Sequence, residues 1–181
     1  MTIILAGIRS LADHLRTIEI NPDAYRPQQC PTCAGCTLWS HGGYTRKAVR
    51  QDCGAPCLDP VPILRFICPR CRATCSVLPE VIPPRRWYLW SVQQSVFMLL
   101  LAGGSYYQAS ASRNQYPVQQ TIRRWWRRLK EQFEIHASTL RPRFPCLGRA
   151  PFFKEFWKAG LALRPLSTLM TQLHHDGVAV P

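Results

Sequence analysis

Apolar side chains at Ile8, Leu11, Ala12, Leu15 and Ile18 recur at the three-and-four spacing of one helix face, and Asn21-Pro22 stops the run. Segment 1–27 is therefore expected to form a short amphipathic helix that packs its stripe on a core. From residue 28 the pattern changes. Tyr44–Arg50 and Val61–Ile67 are short β-prone runs separated by Gly, Pro and Asp over 52–60, and they read as two strands within a segment spanning 28–79. The Pro-rich stretch that follows, taken as segment 80–86, reads as an extended, stiff linker. The helical period then returns. Leu89, Val92, Val96, Leu99 and Leu100 share a face, and Gly103-Gly104 ends that helix because Gly tolerates a left-handed stop. A short segment from Ser105 to Ser112, a polar turn at Arg113–Pro117 and a helix from about Val118 to Phe133 complete segment 87–134. Segment 135–181 contains a basic connector over 141–151, then two aromatic and apolar helices at about 152–163 and 166–175. No repeat of fixed period runs through the chain.

Composition narrows the chemistry. Eight of the nine Cys lie within 28–79, and the N-terminal residues lack the basic start and small-residue cleavage site of a secretory signal. Paired Cys in that setting read as metal-binding or redox-active before they read as disulfide-bonded. No apolar stretch is long enough to predict a transmembrane helix, so no membrane partner is expected. The net charge of +13 is uneven: eleven basic against three acidic residues give +8 over 80–150, whereas 28–79 carries +4. That concentration points to a polyanionic partner, nucleic acid before an anionic membrane surface.

The strongest motif is a matched pair of knuckles. Cys30-Pro-Thr-Cys33 and Cys68-Pro-Arg-Cys71 each present two thiolates from a tight turn, and four thiolates satisfy tetrahedral zinc. The 34 residues between them exceed the usual gap of such sites, and a strand-turn-strand insertion accounts for the extra length. The expectation is one structural Zn2+ in a zinc ribbon, with Cys30, Cys33, Cys68 and Cys71 as ligands. A register shifted to Cys33/Cys36 is the alternative. Cys53 and Cys57 read as free thiols or a second, weaker metal site, Cys75 as core, and His41 as a loop residue rather than a ligand.

The helix beginning near Val118 sorts its residues sharply. Val118, Ile122, Trp125, Trp126 and Leu129 fall on one stripe roughly 100° wide. Gln120, Arg124 and Arg127 occupy the opposite face, flanked by Arg123 and Arg128, and no acid interrupts them before Glu131. Arg and Gln make bidentate contacts to guanine and adenine edges in the major groove. With a short helix and a polar turn ahead of it, this helix fits the second position of a helix-turn-helix. The predicted class is thus α+β: a small β zinc ribbon, a helix-turn-helix module and C-terminal helices.

At the level of residues, Cys30-Pro-Thr-Cys33, His41-Gly-Gly-Tyr44, Arg46-Lys-Ala-Val-Arg50 and Arg65-Phe-Ile-Cys-Pro-Arg-Cys71 resemble the N-terminal zinc ribbon of bacterial insertion-sequence transposases, which a helix-turn-helix follows. The chain is also similar to short stand-alone bacterial proteins of the same layout. The resemblance covers about residues 28–133 and implies binding to element ends. Those transposases continue into a ribonuclease-H-like catalytic domain with metal-binding acids, whereas only Glu155 and Asp176 are acidic here after Glu134. Catalysis is therefore not expected. The expected function is that of a zinc-containing, nucleoid-associated cytoplasmic protein that binds double-stranded DNA, as a mobile-element accessory factor or regulator. A homodimer or a transposase or recombinase is the expected protein partner. The alternatives are an RNA-binding protein, or an adaptor that docks a partner through the ribbon and Phe152, Phe153, Phe156, Trp157, Leu161, Leu166, Leu169 and Leu173.

Overall fold

The computed structural model describes residues 1–47, 58, 60–84, 88–111 and 117–180. The class is α+β, and the chain divides into two units, Met1–Leu89 and Trp90–Pro181.

The first unit contains β1 (Thr2–Leu5), α1 (Leu11–Ile20), a 3-10 turn at Pro22–Tyr25, β2 (Trp39–Arg46), β3 (Val61–Ile67) and β4 (Thr74–Pro79). Its strands form one sheet in the order β1-β4-β3-β2. β2 and β4 flank β3 antiparallel, and β1 joins β4 in parallel with Thr2 opposite Ser76. β1 and β4 go beyond the two strands expected from sequence, so residues 1–27 do not stand alone as a helical segment. The Thr2–Leu5 run is too short to show a period. Its partner lies far along the chain, and the Met1 ammonium donates to the Thr74 carbonyl, 73 residues on. β2 also begins earlier than the expected Tyr44. Gly42-Gly43 disguises it by forming an irregularity between Ser40 and Gly43, with Gly42 at φ +67°. A Cβ at Gly43 would lie 2.7 Å from the Ile63 carbonyl oxygen, so only glycine fits there. Residues 48–50 of the expected strand, and Cys53 and Cys57, lie outside the described residues.

α1 starts at Ser10, whose Oγ accepts from the Asp13 amide at 3.0 Å, an N-cap typically worth about 1 kcal/mol. It buries Leu11 and His14. One core cluster gathers Phe66, Cys75 and Val77 from the sheet with Leu38 and Tyr25, and Ile3, Leu5, Ile8 and Ile18 pack against it. Burying each large apolar side chain contributes about 1.5–3 kcal/mol. The His14 ring ties α1 to the sheet. Its Nε2 lies 2.7 Å from the Pro62 carbonyl, which can only accept, so Nε2 carries the proton and Nδ1 accepts from the Tyr25 hydroxyl. The stretch after β4 is not the extended linker its prolines suggest. Ile82 N–H donates to Pro79 O, Ile82 is fully buried, and the buried Glu80 carboxylate accepts from the Gly7 amide at 2.9 Å. Burial of Ile82 and pairing of Glu80 fold the segment back as a turn. Arg85 and Arg86 lie outside the described residues.

The second unit is helical: α2 (Trp90–Leu101), α3 (Tyr106–Ala111), α4 (Gln119–Glu131), α5 (Phe133–Leu140), a 3-10 turn at Pro145–Arg149, α6 (Phe153–Leu163) and α7 (Leu166–His175). α2 ends in a Schellman motif, in which Gly103 N–H donates to Leu100 O and Gly104 N–H to Leu99 O, with Gly103 at φ +98°. α3 opens with a capping box: Ser105 Oγ accepts from the Gln108 amide, and the Ser105 amide donates to Gln108 Oε1 at 2.8 Å. The expected single helix to Phe133 is broken at Gln132 into α4 and α5. Part of the supposed connector, Pro145–Arg149, is a 3-10 turn that buries Leu147. Trp126, Phe153, Phe133, Phe156 and Trp157 form successive edge-to-face contacts with centroids 5.1–5.6 Å apart. Each such pair adds about 0.5–1.5 kcal/mol beyond area burial. Phe156, Trp157, Leu166, Leu169 and Leu173 are completely buried. These side chains form the unit's own core, so the adaptor reading loses most of its docking residues.

Candidate metal centre and basic helix

The two knuckles have the same backbone. After the first, Ala34 N–H donates to Cys30 O and Cys30 N–H to Gly35 O; after the second, Arg72 N–H donates to Cys68 O and Cys68 N–H to Ala73 O. Ala34 and Arg72 take the corresponding positions and both enter the left-handed region, at φ 55° and 61°. Neither is glycine, and a left-handed conformation costs an L-residue about 1–2 kcal/mol. Two such turns closed by the same pair of hydrogen bonds aim four sulfurs at one point.

Those sulfurs, from Cys30, Cys33, Cys68 and Cys71, all lie within 4.8 Å of one another and could hold a metal ion. The cross-knuckle pairs Cys30–Cys71 and Cys33–Cys68 are each 3.6 Å apart, far beyond a disulfide bond. Backbone N–H groups support thiolate at part of the site. The Thr32 and Cys33 amides bring the Cys30 thiol down to about 6, and the Cys71 and Arg70 amides lower Cys68. At Cys71 the Ala73 amide also lowers the thiol, but desolvation and the sulfurs of Cys33, Cys30 and Cys68 outweigh it and push it up to about 12. Four adjacent sulfurs cannot all ionise without a cation among them. Cys30 and Cys68 belong to the same core cluster as Phe66 and Val77, so the centre closes one end of that core.

The other sulfurs stand apart. Cys36 is exposed and lies outside the group, which removes the shifted register. Cys75 is buried opposite Phe66. His41 is exposed on β2 and is not among the grouped ligands. The equivalence of the two knuckles was visible as Cys-Pro-x-Cys, but the left-handed turns were not, because neither position carries the expected glycine.

In the second unit, α4 buries Ile122, Trp125, Trp126 and Leu129. Val118, placed on that stripe by its angle, is instead the exposed residue at the helix start, where the chain has not yet entered the helix. Gln120, Arg123, Arg124 and Arg127 are exposed and Arg128 is half-buried. The Arg123 guanidinium lies over the Tyr106 ring, 5.4 Å from its centroid. Arg127 pairs with Glu131 at 3.5 Å, both side chains well exposed. Lys130 continues the edge of this surface and, with Lys154 from α6, lines a cleft. The sequence alone does not single out these lysines, since Lys154 is remote in sequence and only the fold brings it beside α4. No helix among the described residues is long and apolar enough to cross a membrane.

Fold and site thus define an α+β protein with a four-cysteine candidate metal centre and a separate basic helix face. Residues 30–125, just over half of the chain, match the family described as a domain of unknown function (DUF6431), and the chain belongs to that family. No curated protein and no solved structure matches it.

Proposed function

We propose that this protein is a zinc-containing DNA-binding protein without catalytic activity of its own. The observation that carries the reading is the division of α4, which commits four apolar residues to the core and turns Gln120, Arg123, Arg124 and Arg127 to solvent. Exposed guanidiniums on a rigid helix suit phosphates and base edges alike. α3 packs against α4 ahead of it, as the first helix of a helix-turn-helix would.

Zinc is the metal that suits the centre. Four thiolates form a soft, closed ligand set, and zinc–sulfur bonds of about 2.3 Å in a tetrahedron put neighbouring sulfurs about 3.8 Å apart. The observed 3.6 Å pairs support that size. With every position taken by protein, the metal would hold the fold together and activate no water. The reading keeps its link to mobile elements, with a transposase or recombinase as partner and a nucleoid location, through the residues that resemble transposase ribbons. Mobility-shift titration of the full chain against duplex DNA at two salt concentrations tests it. A shift that weakens steeply with salt is expected. No shift at either concentration would overturn the DNA reading.

A further inference from the structure

The helical unit carries a cleft of about 380 Å³ where the end of α2, the start of α3, α4 and α6 meet. Its lining includes the apolar and aromatic side chains of Leu100, Tyr106 and Trp126 and the polar side chains of Ser105, Lys130 and Lys154. Among the described residues, no carboxylate lines it. Neither lysine forms an ion pair among the described residues. Lys130 extends over the Trp126 ring, its Nζ 5.7 Å from the centroid, which holds the ammonium at the cleft. Two like charges sharing a concave, partly apolar site repel one another, and an anion between them removes that repulsion. The Gly103 and Gly104 amides are used in the Schellman motif and the Ser105 amide by Gln108. The Ser105 hydroxyl accepts from the Gln108 amide, which leaves its proton to donate outward.

We propose that this cleft is a phosphate site, in which an ester phosphate sits between the ammonium groups of Lys130 and Lys154 and accepts from the Ser105 hydroxyl. Phosphate suits it better than carboxylate because its several oxygens can meet both ammoniums and the hydroxyl together. The phosphate can be a monoester, as in a free nucleotide, or a diester of a nucleic-acid strand. The strand form rests on the DNA-binding reading above, since Lys130 borders the same helix face as Arg123 and Arg127. The phosphate chemistry stands without that reading.

Two-dimensional NMR of the full, metal-loaded chain separates these cases through the amide signals of Gly104 and Ser105. Inorganic phosphate, AMP and a short duplex are titrated in turn into the wild type and into Lys130→Ala/Lys154→Ala, a double variant that changes exposed side chains only. Saturable shifts of these amides are expected, and the double variant should lose them. Shifts with phosphate or AMP identify a free monoester as a ligand; shifts with the duplex alone identify the strand. For the duplex, removing one phosphate interaction should also flatten the slope of log affinity against log salt by about 0.9. Unmoved cleft amides with all three probes, or equal shifts in the double variant, overturn the site. Duplex binding that moves the α4 amides but not the cleft overturns the site and leaves the DNA reading standing. Phosphate binding without any duplex binding does the reverse.

Discussion

Replacing Arg124 and Arg127 together by alanine separates recognition from folding, because both side chains are exposed and neither supports the core. Among the described residues the ion pair affected is Arg127–Glu131, at 3.5 Å between side chains 70% and 60% exposed. Exposed pairs four residues apart on a helix contribute about 0.3–0.5 kcal/mol, and alanine's higher helix propensity offsets part of that. Stability should therefore change by no more than about 0.5 kcal/mol. Binding should respond very differently. A good bidentate pairing with a base is worth about 1–3 kcal/mol, so removing two of them weakens duplex affinity by about thirtyfold or more. If the same side chains bind phosphates, the log–log salt slope also falls by about 0.9 for each phosphate no longer neutralised. Fluorescence anisotropy with a labelled duplex at several salt concentrations, beside thermal unfolding followed by circular dichroism, reads both quantities. Unchanged affinity and slope in a variant of unchanged stability would refute α4 as the recognition helix.

Three further predictions concern the fold around the site. At Arg72, φ 61°, glycine should match or improve on arginine by up to about 1 kcal/mol in denaturant unfolding, whereas Arg72→Val should destabilise; valine tolerated as well as glycine would contradict the left-handed turn. Gly43→Ala sets a methyl 2.7 Å from the Ile63 carbonyl oxygen and should cost about 1–3 kcal/mol, with no loss of stability as the contrary result. His14 and His136 are both held below their ordinary 6.5, chiefly by desolvation, with the Pro62 and Ala179 carbonyls opposing it. Each folded imidazole thus binds its proton less readily than the unfolded one. Stability should be complete above about 6.5 and fall as pH drops from there through the lowered folded values. His14→Gln should flatten part of that decline in unfolding curves taken across the range, and an identical pH dependence would remove His14 as a cause.

How far the sequence revealed this molecule depended on how local each signal was. Knuckles, helix periods and the α4 amphipathy are local, and β3 and the C-terminal helices were legible for the same reason. β1 was not, because four residues acquire strand character only by pairing with β4. The Gly42-Gly43 irregularity concealed the first half of β2, since glycines in a strand read as a turn. Pro79, Pro83 and Pro84 suggested a rigid spacer, yet the burial of Ile82 and the pairing of Glu80 with the Gly7 amide decide that segment's path. Arg124 and Arg127 could be picked out from one helix, whereas bringing Lys130 and Lys154 to one cleft required the packing of α6 near α4.

The metal centre is the feature on which the first unit's architecture turns, and native mass spectrometry under reducing conditions tests it most directly. One zinc ion per chain is expected, lost when any one of Cys30, Cys33, Cys68 or Cys71 is replaced by serine and retained in Cys36→Ser. A chain that carries clearly less than one zinc, or that loses it on replacing Cys36, would contradict the four-thiolate centre.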